Sequence, residues 1–259
     1  MYEFDYLKVL SVEDALSKYK ELDDPSYLAG GHTILPTMKQ RLANPSHLID
    51  ISQIPELVGV SAEHNHISVG SGTTHNEVSK SEVIQSSIPA LASLANEIGD
   101  PQVRARGTIG GSLANNDPAA DYPAAVLALK ATIVTNSREI SCDDFFVDLF
   151  ETALEEQELI TCIKFQIPKK ASYIKFNNPA SRYAIVGVMF ADFEDGPRVA
   201  VTGAGPCVFR ANNIEKAITS GDKLPEIKAE GLNSDIHASA EYRAHLVGVM
   251  AKRAIESAH

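Results

Sequence analysis

The sequence predicts an α+β protein, and three observations carry that expectation. The opening, residues 1–54, places amphipathic-helix patterns between short apolar strands and carries a glycine pair. Residues 55–168 show hairpin-type alternation on either side of helices rich in small residues. Beyond Pro168, three strand patterns come first and two helices follow, the order of an α+β domain.

Taken in order, "VEDALSKYKEL" is a short amphipathic helix. "SYLAGGHTILPTMKQRL" then gives an apolar strand, a turn at Gly30-Gly31 and a second helix. Thr33 is placed to cap that helix, and Pro36 is tolerable in its first turn. "HLIDIS" is a second strand, so the opening is a β-turn-α-β unit. "ELVGVSAEHNHISVGSG" alternates on both sides of "AEHN" as a hairpin does, with His64 and His66 at its tip. "TTHNEVSKSEVI" opens on a capping box, Thr74 with Glu77. "SIPALASLANEIGD" is a helix closed by Gly99, and "AADYPAAVLALK" is another with small residues. "ATIVTNSREIS" is a hairpin turning near Asn136-Ser137, and "QELITCIKFQIP" is a strand ended by Pro168. After that boundary come "SYIKFNN", "AIVGVMFADF" and "RVAVTGAG", with a hairpin loop at Glu194–Pro197. A helix in "ANNIEKAITS" follows, then a long one in "ASAEYRAHLVGVMAKRAIESA" whose Leu246, Val249, Met250 and Ala254 form a core or subunit-facing stripe.

Composition excludes several classes of function. The 259 residues are 44% apolar and 22% charged, and 34 acids against 23 bases give a net charge of −11. Such a surface repels a polyphosphate backbone, so nucleic acid is not an expected partner. No apolar run approaches membrane-spanning length, and the acidic start lacks the basic region of a secretory signal. Cys142, Cys162 and Cys207 are odd in number and form no CxxC, which suggests neither disulfides nor a metal site and fits a reducing cytoplasm. Ser112 lacks the G-x-S-x-G elbow of a hydrolase.

Two motifs carry chemistry. In "AGGHT", Ala29–Thr33, paired glycines let the backbone approach a ligand, and consecutive N–H groups ahead of a helix make an anion cradle. The same pattern also serves a plain strand-to-helix connection. "TIGGSLANNDPAAD", Thr108–Asp121, repeats the design and adds Asn115, Asn116, Asp117 and Asp121 as polar groups for sugar hydroxyls or an amide-like ring edge. Its bland alternative is a polar loop in which Asp117 or Asp121 caps the next helix. Two glycine loops suit a dinucleotide whose pyrophosphate is gripped from both sides, although neither G-x-G-x-x-G nor GxxxxGK[ST] occurs.

These two motifs, with "KFNNPASRYAIVGV" and "DIHASAEYRAHLVGVMAKRA", resemble the FAD-binding medium subunit of molybdenum hydroxylases, the carbon monoxide dehydrogenase and xanthine dehydrogenase-like enzymes. The resemblance covers nearly the whole chain in order. It implies the vanillyl-alcohol-oxidase (PCMH-type) FAD-binding fold over residues 1–168, in subdomains of about 1–54 and 55–168, and a C-terminal α+β domain over 169–259, an antiparallel sheet with helices. Residue by residue, Ala29, Gly30, Gly31, His32 and Thr33 match the first pyrophosphate loop, His32 either holding the loop or touching FAD. Thr108, Ile109, Gly110, Gly111 and Ser112 match the second loop, with Ile109 near the isoalloxazine. Asn115, Asp117 and Asp121 match its polar extension, the last on a ribityl or ribose hydroxyl. Ile160 matches a backbone contact to the cofactor, and Lys175 a lysine near the flavin; His75 and Tyr122 are taken as structural.

By the same resemblance the chain is an oxidoreductase subunit that passes electrons through FAD. A large subunit holds molybdopterin and a small subunit holds two 2Fe–2S clusters, assembled as a dimer of heterotrimers. The final acceptor is an external quinone, oxygen or NAD, and the complex sits in the cytoplasm or at the inner face of the membrane. No residue of this chain is expected to be catalytic, and no metal is expected on it. The alternatives are a self-sufficient flavin reductase on the same fold and a non-enzymatic nucleotide-binding scaffold.

Overall fold

A computed structural model describes residues 1–259 and shows an α+β chain built on three main sheets. The first part comprises β1 (Asp5–Lys8), α1 (Val12–Glu21), β2 (Pro25–Leu28), α2 (Ile34–Lys39) and β3 (His47–Asp50). Its strands form a parallel sheet in the order β1-β3-β2. Ser11 caps α1 by accepting from the Asp14 N–H, and the helix buries Ala15 against Ile49 and Ile54. Strand β1 extends the expected β-turn-α-β unit by one strand. Its four residues are mostly exposed and show no alternation, which is why "DYLK" carries no strand signal.

The second part begins with the hairpin of β4 (Val60–Glu63) and β5 (His66–Gly70). A run of short helices follows: α3 (His75–Lys80), α4 (Glu82–Ser87), α5 (Pro89–Asn96), α6 (Pro101–Arg106), α7 (Ile109–Asn115) and α8 (Tyr122–Ala128). The Thr74–Glu77 capping box forms as expected, whereas α5 reaches its C-cap at Glu97, two residues before the expected Gly99, which takes φ +52° in the bend that follows. Then come β6 (Thr132–Thr135), β7 (Glu139–Ser141), α9 (Cys142–Phe145), a small hairpin of β8 (Phe146–Asp148) and β9 (Glu151–Thr152), and β10 (Ile160–Gln166). β10 inserts between the two earlier hairpins, giving the order β4-β5-β10-β6-β7. Hairpin alternation shows each pair but not this long-range insertion, which depends on tertiary pairing.

The last part is an antiparallel sheet of β11 (Lys170–Asn177), β12 (Ala184–Phe193), β13 (Gly196–Thr202) and β14 (Phe209–Arg210), followed by α10 (Asn212–Ser220) and α11 (Ala240–Ser257). β12 is buried along almost its whole length because both faces of the sheet are covered. On one face, Val188, Phe190 and Val201 meet Leu246, Val247, Met250 and Ala254 of α11. On the other, Tyr173, Met189 and Ala200 join the largest core, which also holds Ile67, Leu91, Tyr122 and Phe165. The chain thus passes from β10 to β11 at residues 167–169 while its main core continues across that connection. No helix is long and apolar enough to cross a membrane.

Candidate functional site

The two glycine motifs, far apart in sequence, meet at one cleft of about 660 Å³. Gly30 and Gly107 make that meeting possible. A Cβ on Gly30 would lie 2.2 Å from the Arg106 carbonyl oxygen, so the first motif packs directly on the backbone that leads into the second. Gly31 has φ +75°, a conformation costly for any residue with a Cβ.

The backbone donors of the two motifs differ sharply. From Ala29 to Ile34, six consecutive residues, no N–H donates a hydrogen bond within the chain. Ala29, Gly30, Gly31, His32, Thr33 and Ile34 all line the cleft, so these donors form an open cradle for an anion. Thr33 occupies the N-cap position of α2 but its side chain makes no capping bond, contrary to expectation. Its backbone is already in the helical region, which turns the hydroxyl away from the N–H it would cap.

The second motif is a helix rather than a loop ahead of one. α7 begins at Ile109, and Thr108 caps it by accepting from the Gly111 N–H. Ile109 N–H donates to Thr73, Gly110 N–H to Ser71 and Ser112 N–H to Thr108, so most donors here are already engaged. A Gly-Gly pair disfavours a helix by roughly 2 kcal/mol relative to alanines, and the cap with these cross-bonds offsets it. The glycines serve close packing and access instead. A Cβ on Gly110 would lie 2.5 Å from Ser71 Cβ, whereas one on Gly111 would meet only Thr108 Oγ1, at 3.0 Å, and otherwise face the cleft.

Thr108, Gly110, Gly111, Ser112, Asn115, Asp117, Asp121 and Ile160 also line the cleft. Three of the expected residues do not. The Asn116 amide is buried and donates to the Asp148 and Glu151 carbonyls, and Ile109 and Lys175 also lie outside the lining. Ile109 is fully buried in the main core, because the helical turn rotates its side chain away from the cleft. Lys175 lies behind Asp121 rather than in the opening: its Nζ sits 3.0 Å from Asp121 Oδ1, and both side chains are buried. Lys175 also donates to the Glu97 and Arg182 carbonyls. Asp121 accepts from Tyr173 Oη at 2.5 Å and makes no helix cap. Burial pushes the Asp121 carboxyl above its ordinary pKa, while Lys175 and Tyr173 oppose that shift. Burial likewise raises Asp117, against a bond from the Ala119 N–H.

Other residues, with no binding role expected from the sequence, also line the cleft. Ser181, Arg182 and Tyr183 form one wall, with the Tyr183 ring half exposed and the Arg182 guanidinium tied to the Gly99 carbonyl at 3.0 Å. They lie in "NNPASRY", between two strand patterns, where polar loop composition gives no sign of a wall. His75 also lines the cleft. Its ring packs on Tyr122 with centroids 5.3 Å apart, its Nδ1 has no partner, and burial lowers its pKa to about 4. Glu158 also lines the cleft, and the Arg138 guanidinium chiefly holds its carboxyl down to about 2.

Residues 2–170 match the family model described as the FAD binding domain in molybdopterin dehydrogenase. The carbon monoxide dehydrogenase medium chain of Hydrogenophaga pseudoflava is 33% identical, over 98% of this chain and 96% of that one. The glyceraldehyde dehydrogenase medium chain of Sulfolobus acidocaldarius is 32% identical, over 98% of each. The solved carbon monoxide dehydrogenase from Hydrogenophaga pseudoflava, a form lacking the Mo-pyranopterin moiety, superposes with a TM-score of 0.89 at 33% identity, covering 99% of this chain and 97% of that one.

Proposed function

From the premise that this chain belongs to the family of FAD-binding domains in molybdopterin dehydrogenases, we propose that one FAD lies across the cleft with its pyrophosphate in the Ala29–Ile34 cradle. The chain is the FAD-containing medium subunit of a multi-subunit molybdenum hydroxylase, and the molybdopterin and iron–sulfur cofactors belong to partner subunits. The observation that carries the placement is the run of six free N–H donors opposite a helix whose Gly111 leaves the facing wall open. Free donors in a row compensate a diphosphate without any lysine or arginine, which suits an acidic chain.

The remaining residues fit the rest of the cofactor. Ser112 and Asn115, half-buried on the exposed side of α7, offer hydrogen bonds to sugar or ribityl hydroxyls. Asp121, held as an acceptor by Lys175 and Tyr173, offers another. Tyr183 presents an aromatic face at the mouth, and Ile160 an apolar edge. FAD supplies the redox chemistry when bound, taking up electrons one at a time or in pairs and giving them up again. This chain's part is to bind, orient and shield it. No side chain in the cleft is arranged as an acid–base pair for a substrate of its own, which favours this reading over a self-sufficient flavin reductase.

Electrons would arrive from the 2Fe–2S clusters of a small subunit and leave to an external quinone, oxygen or NAD, within a dimer of heterotrimers in the cytoplasm or at the inner membrane face. Medium chains of carbon monoxide and glyceraldehyde dehydrogenases match this chain at nearly the same identity. That supports a substrate pocket lying outside this chain.

Gly111→Val tests the placement. Its side chain would project into the cleft while its Cβ meets only Thr108 Oγ1. Titration with FAD should show affinity weakened by roughly ten-fold or more, with circular dichroism unchanged. Wild-type affinity in the folded variant would place the cofactor elsewhere.

A further inference from the structure

We propose that His75 is a cofactor-binding residue whose Nε2–H donates to a diphosphate oxygen of FAD, an inference that rests on the flavoprotein reading above. The residue is 5% exposed and lines the cleft. Its Nδ1 is buried without a hydrogen-bond partner, and the Tyr122 hydroxyl, orphaned as well, does not reach it. Nε2 has no partner within the chain either, but it is not sealed off and meets the space that the residue lines. A buried imidazole with neither nitrogen satisfied is incomplete, and a ligand in the cleft completes it.

The position of the ring selects the part of the ligand it meets. The His75 backbone N–H donates to the Gly107 carbonyl at 2.9 Å, and Thr74 forms an antiparallel bridge with Thr108. His75 is therefore stitched to the start of the second motif, and the Tyr122 ring packs on its imidazole. Gly107 is the spacer. A Cβ there would lie 2.6 Å from Nε2, and a Cβ on Gly30 would lie 2.9 Å from the Gly107 Cα. One glycine's thickness thus separates the imidazole from the Ala29–Ile34 cradle, and the diphosphate placed in that cradle is within its reach.

The proton's location follows from the surroundings. Burial, with His32 and Arg104 nearby, lowers the pKa to about 4, so the ring is neutral near pH 7. A neutral imidazole carries one N–H, and its other nitrogen is an acceptor. Nδ1 has nothing to donate to, and an orphaned buried N–H is harder to sustain than an orphaned lone pair. The proton therefore resides on Nε2, where the ligand supplies an acceptor. Like the backbone donors of the cradle, this group adds a directed bond to an anion without adding charge.

The test is made on the full chain, freed of FAD and titrated with it by flavin fluorescence. His75→Phe keeps a ring beside Tyr122 but removes the donor, and affinity should fall about ten- to hundred-fold. His75→Gln sets an amide N–H where Nε2 stands and should stay within about three-fold of wild type. His75→Asn, whose amide stands at Nδ1, should weaken binding as Phe does. A packing role alone would give the reverse order, with Phe retaining more affinity than Gln. Should the Phe variant not fold, wild-type protein carrying 15N-labelled histidine decides the matter by NMR. On addition of FAD the His75 Nε2–H signal should shift and exchange slowly with water. Wild-type affinity in His75→Phe, a proton found on Nδ1, or an Nε2 signal unchanged by FAD would each overturn the proposal. A wild-type chain that binds no FAD would instead overturn the flavoprotein reading, so the two failures are distinguishable.

Discussion

A side chain added at Gly30 and one added at Gly111 would have opposite consequences, because the first meets backbone at 2.2 Å and the second meets open cleft. Glycine pairs are visible in the sequence, yet their division of labour is not, since it depends on what lies across from each Cβ. His75 makes the same point. As a residue beside a motif it has a bland reading, and the structure buries it, packs it on Tyr122 next to Gly107 and also places it in the cleft lining. Its burial has a measurable consequence. The folded chain holds the imidazole neutral until about pH 4, whereas the unfolded chain protonates it near 6.5. Between those values the unfolded state binds more protons, so stability falls as pH drops through that window and levels off below it. The loss attributable to His75 is about 3 kcal/mol. Urea unfolding of wild type and His75→Gln across that window should show a shallower pH slope in the variant. Identical slopes would mean that His75 is not the titrating group.

Elements whose signals are local were legible: the capping box at α3, the β4–β5 and β6–β7 hairpins, and the long α11. Elements that depend on tertiary support were not. α7 carries two glycines and reads as a loop, and it is helical because Thr108, Ser71 and Thr73 hold its first turn. The Asp121–Lys175 pair belongs to this scale, since it joins the start of α8 to β11 across the main core. Sequence places both residues near one motif family but cannot show that one charge supports the other. Removing a single partner leaves an uncompensated buried charge, so Lys175→Met should cost about 3–5 kcal/mol in denaturant stability without FAD. Removing both, with Asp121→Asn as well, should recover much of that loss. Strictly additive losses would show that the two residues do not act as a pair.

Across the whole molecule, the α+β class, most of the strands and helices in their order and the two glycine motifs could be read from the sequence. The insertion of β10 between two hairpins could not, and neither could the packing of the C-terminal sheet onto the core beneath the cleft. Both rest on contacts between segments far apart in the chain. The same folding brings "AGGHT" against the backbone leading into "TIGGS" and produces a cleft with unlike walls, the proposed clamp on the pyrophosphate. One wall is a row of free donors and the other a closed helix with one bare position. Hydrogen exchange with and without FAD tests that clamp most directly. The amides of Ala29 to Ile34 should gain strong protection on addition of FAD, while those of Ile109 and Gly110, already bonded, should change little. Protection that leaves 29–34 unchanged, or that appears only on α7, would contradict the account.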